Sequence, residues 1–154
     1  MKKFILPIAA ALVATGPLLA EKLDPAKADV KVTVNGNDQM KFDKTALEAK
    51  SGQVVAITFK NVGALPVQAM GHNIVVLKPN TDITAFALDG IANKDGGYLP
   101  KKPELVKAIV ASSKILGPNE ADTIVFKAGP AGEYPFICTF PGHFGVMKGI
   151  LTVK

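Results

Sequence analysis

The chain has 154 residues, a formal net charge of +5, 48% apolar residues, one cysteine and no tryptophan. That length suits one domain of ordinary size, and a single cysteine excludes a fold stapled by its own disulfides. Acids are interspersed with the lysines, so the mild basic excess lacks the cationic runs and interleaved aromatics of a nucleic-acid surface.

The chain opens with Lys2-Lys3, a nearly continuous apolar run from Phe4 to Val13, and Pro17-Leu18-Leu19-Ala20. This order of charge, apolar stretch and small residue reads as a secretory signal peptide over residues 1–20, followed by one mature domain over 21–154 and export to the periplasm. An uncleaved membrane anchor is the competing reading. The apolar run is shorter than the roughly 20 residues that span a bilayer, and Gly16-Pro17 interrupts it. No other stretch is a spanning candidate. Cleavage removes Lys2 and Lys3 and lowers the charge from +5 to +3.

Val30-Lys31-Val32-Thr33-Val34 alternates apolar and polar residues and predicts a half-buried strand, with a turn at Asn35-Gly36-Asn37-Asp38. Further strands are predicted at Val54 to Phe59, Asn73 to Leu77, Asp122 to Phe126, Tyr134 to Cys138 and Gly149 to Val153, with Gly, Pro and Asn at the breaks. Short strands at regular spacing mean two packed sheets or a barrel. Between Thr81 and Ile91 the spacing of Ile83, Phe86, Ala87 and Ile91 is helical, with Asn80 or Thr81 placed to cap, so a short helix is expected to lie on the sandwich. Residues 93–102 read as a surface loop.

The chemistry concentrates in Cys138-Thr139-Phe140-Pro141-Gly142-His143-Phe144-Gly145-Val146-Met147. A thiolate, an imidazole and a thioether are the ligand types that select copper, and His₂Cys with a weak axial Met is an electron-transfer copper set. The missing imidazole has one source, His72 in Met70-Gly71-His72-Asn73, since the chain holds two histidines in all. Each residue alone has an ordinary structural explanation: a buried Cys, a satisfied His, a gap-filling Met. Together, on one loop bent by Pro141-Gly142 between two strands, they point to a metal.

At this point the chain resembles the azurins, of the cupredoxin (type 1 blue copper) family. The resemblance rests on the Cys-x₄-His-x₃-Met spacing, on Cys-Thr-Phe-Pro-Gly-His and Met-Lys-Gly, and on Asn37-Asp38-Gln39-Met40, Leu65-Pro66, Met70-Gly71-His72-Asn73 and Leu151-Thr152-Val153-Lys154, with a looser match from Ala92 to Leu99. It implies an all-β, cupredoxin-like Greek-key β-sandwich of about seven to eight strands with one short inserted helix. It also implies one type 1 copper per chain, with His72, Cys138 and His143 as close ligands, Met147 as the long axial contact and the Gly71 carbonyl as a second distant one. Asn73 is expected to tie the ligand loops together, and the N–H groups of Asn73 and Phe140 to hydrogen-bond the Cys138 sulfur.

Three departures accompany the likeness: the two cysteines that form a disulfide in azurins are absent, the buried tryptophan is absent, and Asn61 stands where many azurins have a titrating histidine. Phe140, Phe144, Val146 and Leu65 are expected to keep the centre dry. A monomer is expected, with an apolar patch of Met40, Leu65, Pro66, Met70, Phe140, Pro141 and Val146 around His143 that docks transient protein redox partners.

Three functions use such a centre. A one-electron shuttle needs a closed site, and a copper-storage or delivery protein would use the same ligands. A copper oxidase or nitrite reductase needs more histidines than the chain has. Structural zinc prefers closed Cys and His sets, and nothing around Cys138 and His143 resembles a cysteine hydrolase. The shuttle is the expected function, with no enzymatic activity.

Overall fold

The computed structural model describes residues 23–154; the expected signal peptide lies outside the described residues. These residues form nine strands: β1 (Val30–Asn37), β2 (Lys41–Phe42), β3 (Ala46–Ala49), β4 (Val54–Asn61), β5 (Val75–Leu77), β6 (Ile109–Ser112), β7 (Ala121–Lys127), β8 (Gly132–Ile137) and β9 (Lys148–Val153). One sheet runs β2-β1-β4-β7 and the other β3-β9-β8-β5-β6. The β1–β4 and β3–β9 pairs are parallel, and the remaining pairs are antiparallel.

Alternation assigns the faces. Val55, Ile57 and Phe59 of β4, Ile124 and Phe126 of β7, Tyr134 and Phe136 of β8, and Leu151 and Val153 of β9 all project between the sheets, where they form the main core with Val34, Phe42, Ile74 and Val76. Phe42 stands edge-on to Phe59 with ring centroids 5.7 Å apart and lies 5.5 Å from Phe136, so phenylalanine rings pack the centre of a core that has no tryptophan. The Tyr134 hydroxyl donates to the Pro130 carbonyl at 2.9 Å and fixes the turn into β8. Where β1 begins, the Asp29 carboxylate accepts the Val54 N–H at 2.7 Å, and the Asp29 N–H donates to the Val54 carbonyl at 2.9 Å.

The expected helix is α2 (Ile83–Gly90), and its cap is Asp82, whose carboxylate accepts the Ala85 N–H at 3.0 Å. Asn80 is instead in a left-handed turn, and the Thr81 hydroxyl donates to the Lys78 carbonyl, so neither serves as the cap. Phe86 packs with Val75, Leu77 and Ile137 on the outer face of the five-stranded sheet, while Ile91, read as part of the apolar stripe, is exposed beyond the last turn. Two single-turn helices, α1 (Val67–Met70) and α3 (Pro103–Val106), and two 3₁₀ turns, at Pro25–Lys27 before β1 and at Lys94–Gly96 within the expected loop, complete the described fold.

Candidate metal centre

Strand periodicity delivers the centre's residues to one place. In β8 the inward series Tyr134, Phe136 continues to Cys138, and before β5 the inward series Val76, Ile74 continues back to His72. The β8–β9 register pairs Phe136 with Gly149 and Ile137 with Lys148, so one step further Cys138 faces Met147, and the Cys138 N–H donates to the Met147 carbonyl at 3.0 Å. His72 is held in a bridge to Leu116 by reciprocal backbone bonds of 3.2 and 2.7 Å. The Leu116 carbonyl also accepts the buried Asn61 amide at 3.0 Å. Asn61 therefore supports the His72 strand and carries no proton of its own to titrate.

The loop from Cys138 to Met147 is closed by its own backbone. The His143 N–H donates to the Phe140 carbonyl at 3.0 Å across Pro141-Gly142, and Gly142 adopts φ +85°, the left-handed conformation that the third residue of such a Pro-Gly turn requires. The Met147 N–H then donates to the His143 carbonyl at 2.8 Å. These bonds direct the His143 ring and the Met147 side chain inward.

Residues on the opposite face of the same strands lock the loops together. The β5–β8 register, Val75 with Ile137, extends to bring Asn73 against Thr139. The Asn73 amide donates to the Thr139 hydroxyl at 2.8 Å, and its carbonyl accepts the Thr139 N–H at 2.8 Å. The Thr139 hydroxyl in turn donates to the Gly97 carbonyl at 3.2 Å, which joins a third loop. Thr139 and Gly97 were not anticipated in this role. The pairing of residues 73 and 139 becomes readable only once the β5–β8 register is known.

His72, Cys138 and His143 present ligand atoms that all lie within 4.8 Å of one another, and all three residues are buried. Sγ of Cys138 is 3.6 Å from Nδ1 of His143 and 3.9 Å from Nδ1 of His72. For a late first-row metal such as zinc, bonds of about 2.3 Å to sulfur and about 2.0–2.1 Å to nitrogen, opened by about 120°, put the donors roughly 3.8 Å apart. Both sulfur–nitrogen separations therefore match those of donors that share one metal ion. Met147 is fully buried beside them, and Gly71 is packed so closely that a Cβ on it would fall 2.7 Å from both the Val67 carbonyl oxygen and Ile115 Cγ2.

Burial sets the protonation of the metal-free centre. It pushes the Cys138 thiol up to about 12, although the backbone N–H groups of Asn73 and Phe140 bond to the sulfur and pull the other way. Burial, assisted by the neighbouring His72, pushes His143 down to about 4. His72 is also lowered by burial; the Asp38 carboxylate and the Asn37 carbonyl oppose that shift, though His72 Nε2 makes no hydrogen bond of ordinary geometry. At neutral pH the empty centre is one thiol and two neutral imidazoles, poised to exchange a single proton for a metal cation.

The surroundings differ in part from expectation. Phe140 does line the centre: its ring lies 4.8 Å from that of His143 and meets Tyr98 edge-on at 5.3 Å. That packing leaves it 8% exposed, so it is a wall of the site and not part of an outer patch. Phe144, by contrast, does not shield the centre, because the Pro-Gly turn sends it to the outer cluster with Phe86 and Ile137. Leu65 and Val146 are 44% and 63% exposed and form rim, not shell. Phe59, Leu116 and Met147 supply the dry interior in their place.

A buried imidazole–thiol–imidazole triangle with a thioether beside it, at one end of a two-sheet sandwich, defines a copper-binding cupredoxin. The family model of copper binding proteins, plastocyanin/azurin family, matches residues 28–154. The chain belongs to this family, and its cofactor is one type 1 copper. It is 41% identical over 132 residues to the azurin of Pseudomonas fluorescens biotype C, covering 82% of this chain and 100% of that one. It is 40% identical over 129 residues to the azurin of Bordetella pertussis, covering 80% and 83%. Among solved structures, auracyanin A, a "blue" copper protein from Chloroflexus aurantiacus, superposes with a TM-score of 0.73 at 33% identity over 81% of this chain and 98% of that one.

Proposed function

We propose that the protein is a soluble, periplasmic single-electron carrier and not an enzyme, with His72, Cys138 and His143 as the close copper ligands, Met147 as the weak axial ligand and the Gly71 carbonyl as a second distant contact. Copper bound there supplies a one-electron Cu(I)/Cu(II) couple. The observation that carries the reading is enclosure: His72, Cys138 and Met147 are 0% exposed and His143 is 3% exposed, so no face of the centre is open to a substrate. The Asn73–Thr139–Gly97 tie and the backbone bonds closing the ligand loop hold these side chains in place through a change of charge. That fixed geometry keeps rearrangement small when an electron passes. The N–H groups on the sulfur and the apolar wall tune the potential.

His143 is the exit for the electron in this reading. Leu65, Pro66 and Val146 are exposed on the loops beside it, and Met40, Met70 and Pro141 are half-buried, an apolar rim suited to brief docking of a protein redox partner. The Asp38 carboxylate shapes this rim by accepting the Ala64 N–H at 2.7 Å and the Leu65 N–H at 3.3 Å. Residues 1–20 act as the export signal for the mature monomer. Repeated reduction and reoxidation of the copper-loaded protein in the presence of a strong Cu(I) chelator tests the assignment. Retention of the metal through many cycles is expected; surrender of copper on the first reduction would establish delivery instead.

A further inference from the structure

Gly36 stands where the inward series of β1, through Val32 and Val34, next points into the centre. A glycine inside a strand is destabilising relative to alanine and often marks a close approach. The approach is visible here. A Cβ on Gly36 would lie 2.7 Å from the ε-methyl of Met147 and 2.9 Å from Cζ of Phe59. The backbone cannot retreat, since Gly36 is paired with Phe42 of β2 on one side and Asn61 of β4 on the other, and its carbonyl accepts the Val62 N–H at 2.8 Å. Gly36 does not have a positive φ, so space and not backbone conformation excludes a side chain.

We propose that Gly36 is a positioning residue for the axial thioether: its bare Cα face is the seat of the Met147 methyl, and this seat sets where the sulfur stands relative to copper. The proposal rests on Met147 as the axial ligand. An added methyl at residue 36 must displace something. Phe59 is fully buried and held edge-on by Phe42, whereas the Met147 methyl is the free end of a flexible side chain, so the methionine yields first.

The test compares Gly36→Ala, Met147→Leu and the double variant with the unmodified protein. Two readouts are taken: the methionine ¹³C-methyl spectrum of the metal-free mature protein, in which Met40, Met70 and Met147 allow three signals, and the reduction potential of the copper-loaded protein. The expected result is that Gly36→Ala moves the Met147 methyl resonance and shifts the potential, but adds no shift in the Met147→Leu background. An unmoved methyl resonance, or an equal shift of potential in both backgrounds, would overturn the proposal. If Met147→Leu itself leaves the potential unchanged, the axial assignment fails and the proposal with it, a result told apart by a methyl resonance that still moves. Should Gly36→Ala not fold, Gly36→Ala with Phe59→Leu, measured against Phe59→Leu alone, relieves the ring contact and keeps the methionine contact under test.

Discussion

Replacing Asn73 with alanine tests whether the ligand loops are held by the polar tie on the outer face of the strands. Asn73 and Thr139 are 0% and 1% exposed, so water cannot replace what is lost. The Thr139 N–H loses its acceptor at 2.8 Å, and the Thr139 hydroxyl loses a donor while keeping the Gly97 carbonyl. A buried donor left without a partner costs about 1–3 kcal/mol, and the second bond adds about 1 kcal/mol. Asn73→Ala should therefore destabilise the metal-free protein by about 3 kcal/mol, read as a lower urea midpoint with an unchanged slope. The thermal midpoint should fall by roughly 10 °C. Thr139→Val combined with Asn73→Ala should cost less than the sum of the two single changes, because both remove the same bond. A loss below about 1 kcal/mol, or strict additivity, would refute the inference that this pair joins the loops.

Binding of one Cu(II) at pH 7 should release about one proton, from the Cys138 thiol, since both imidazoles are already neutral. Calorimetry in two buffers of different ionisation enthalpy measures it, and a release near two would contradict the assigned protonation states. The metal-free protein should also weaken in acid. His143 is held near 4 in the fold against an ordinary 6.5, so its neutral form stabilises fully above pH 6.5 and that stability is lost as pH falls from 6.5 to 4. The His143 share of the loss should be about 3 kcal/mol, at about 1.4 kcal/mol per unit, in unfolding midpoints measured across that window; His72, also lowered by burial, adds to it, so His143→Gln should reduce the slope without abolishing it. Gly149→Ala would drive a Cβ into the Phe136 ring and place it 2.6 Å from the Thr45 carbonyl oxygen. It should cost about 1–3 kcal/mol in urea unfolding.

The central strands were legible in two ways. Val30 to Val34 alternates apolar and polar residues plainly, whereas Val54 to Phe59 and Asp122 to Phe126 read as short runs rich in β-branched and aromatic residues, with Ala56 and Val125 on the face away from the core. The strands that escaped notice, β2, β3 and β6, all lie at sheet edges. Ala46-Leu47-Glu48-Ala49 of β3 consists of good helix formers and is extended only because β9 pairs with it in parallel, a tertiary contact with no local signature. The centre was legible for a different reason: the chain's histidines and its cysteine number three, and all three meet. What surrounds them was harder to read. Phe140 and Phe144 flank the same turn with the same side chain, yet one walls the centre and the other joins the outer cluster, a difference set by the backbone path through Pro141-Gly142.

The most direct measurement is to add one equivalent of Cu(II) to the metal-free protein and record its visible absorption and electron paramagnetic resonance spectra, with Cys138→Ser in parallel. The proposed ligand set requires an intense blue thiolate-to-copper charge-transfer band and a narrow parallel hyperfine splitting, both lost in the folded Cys138→Ser variant. A colourless product, an ordinary tetragonal copper spectrum, or a blue band that survives Cys138→Ser would contradict it.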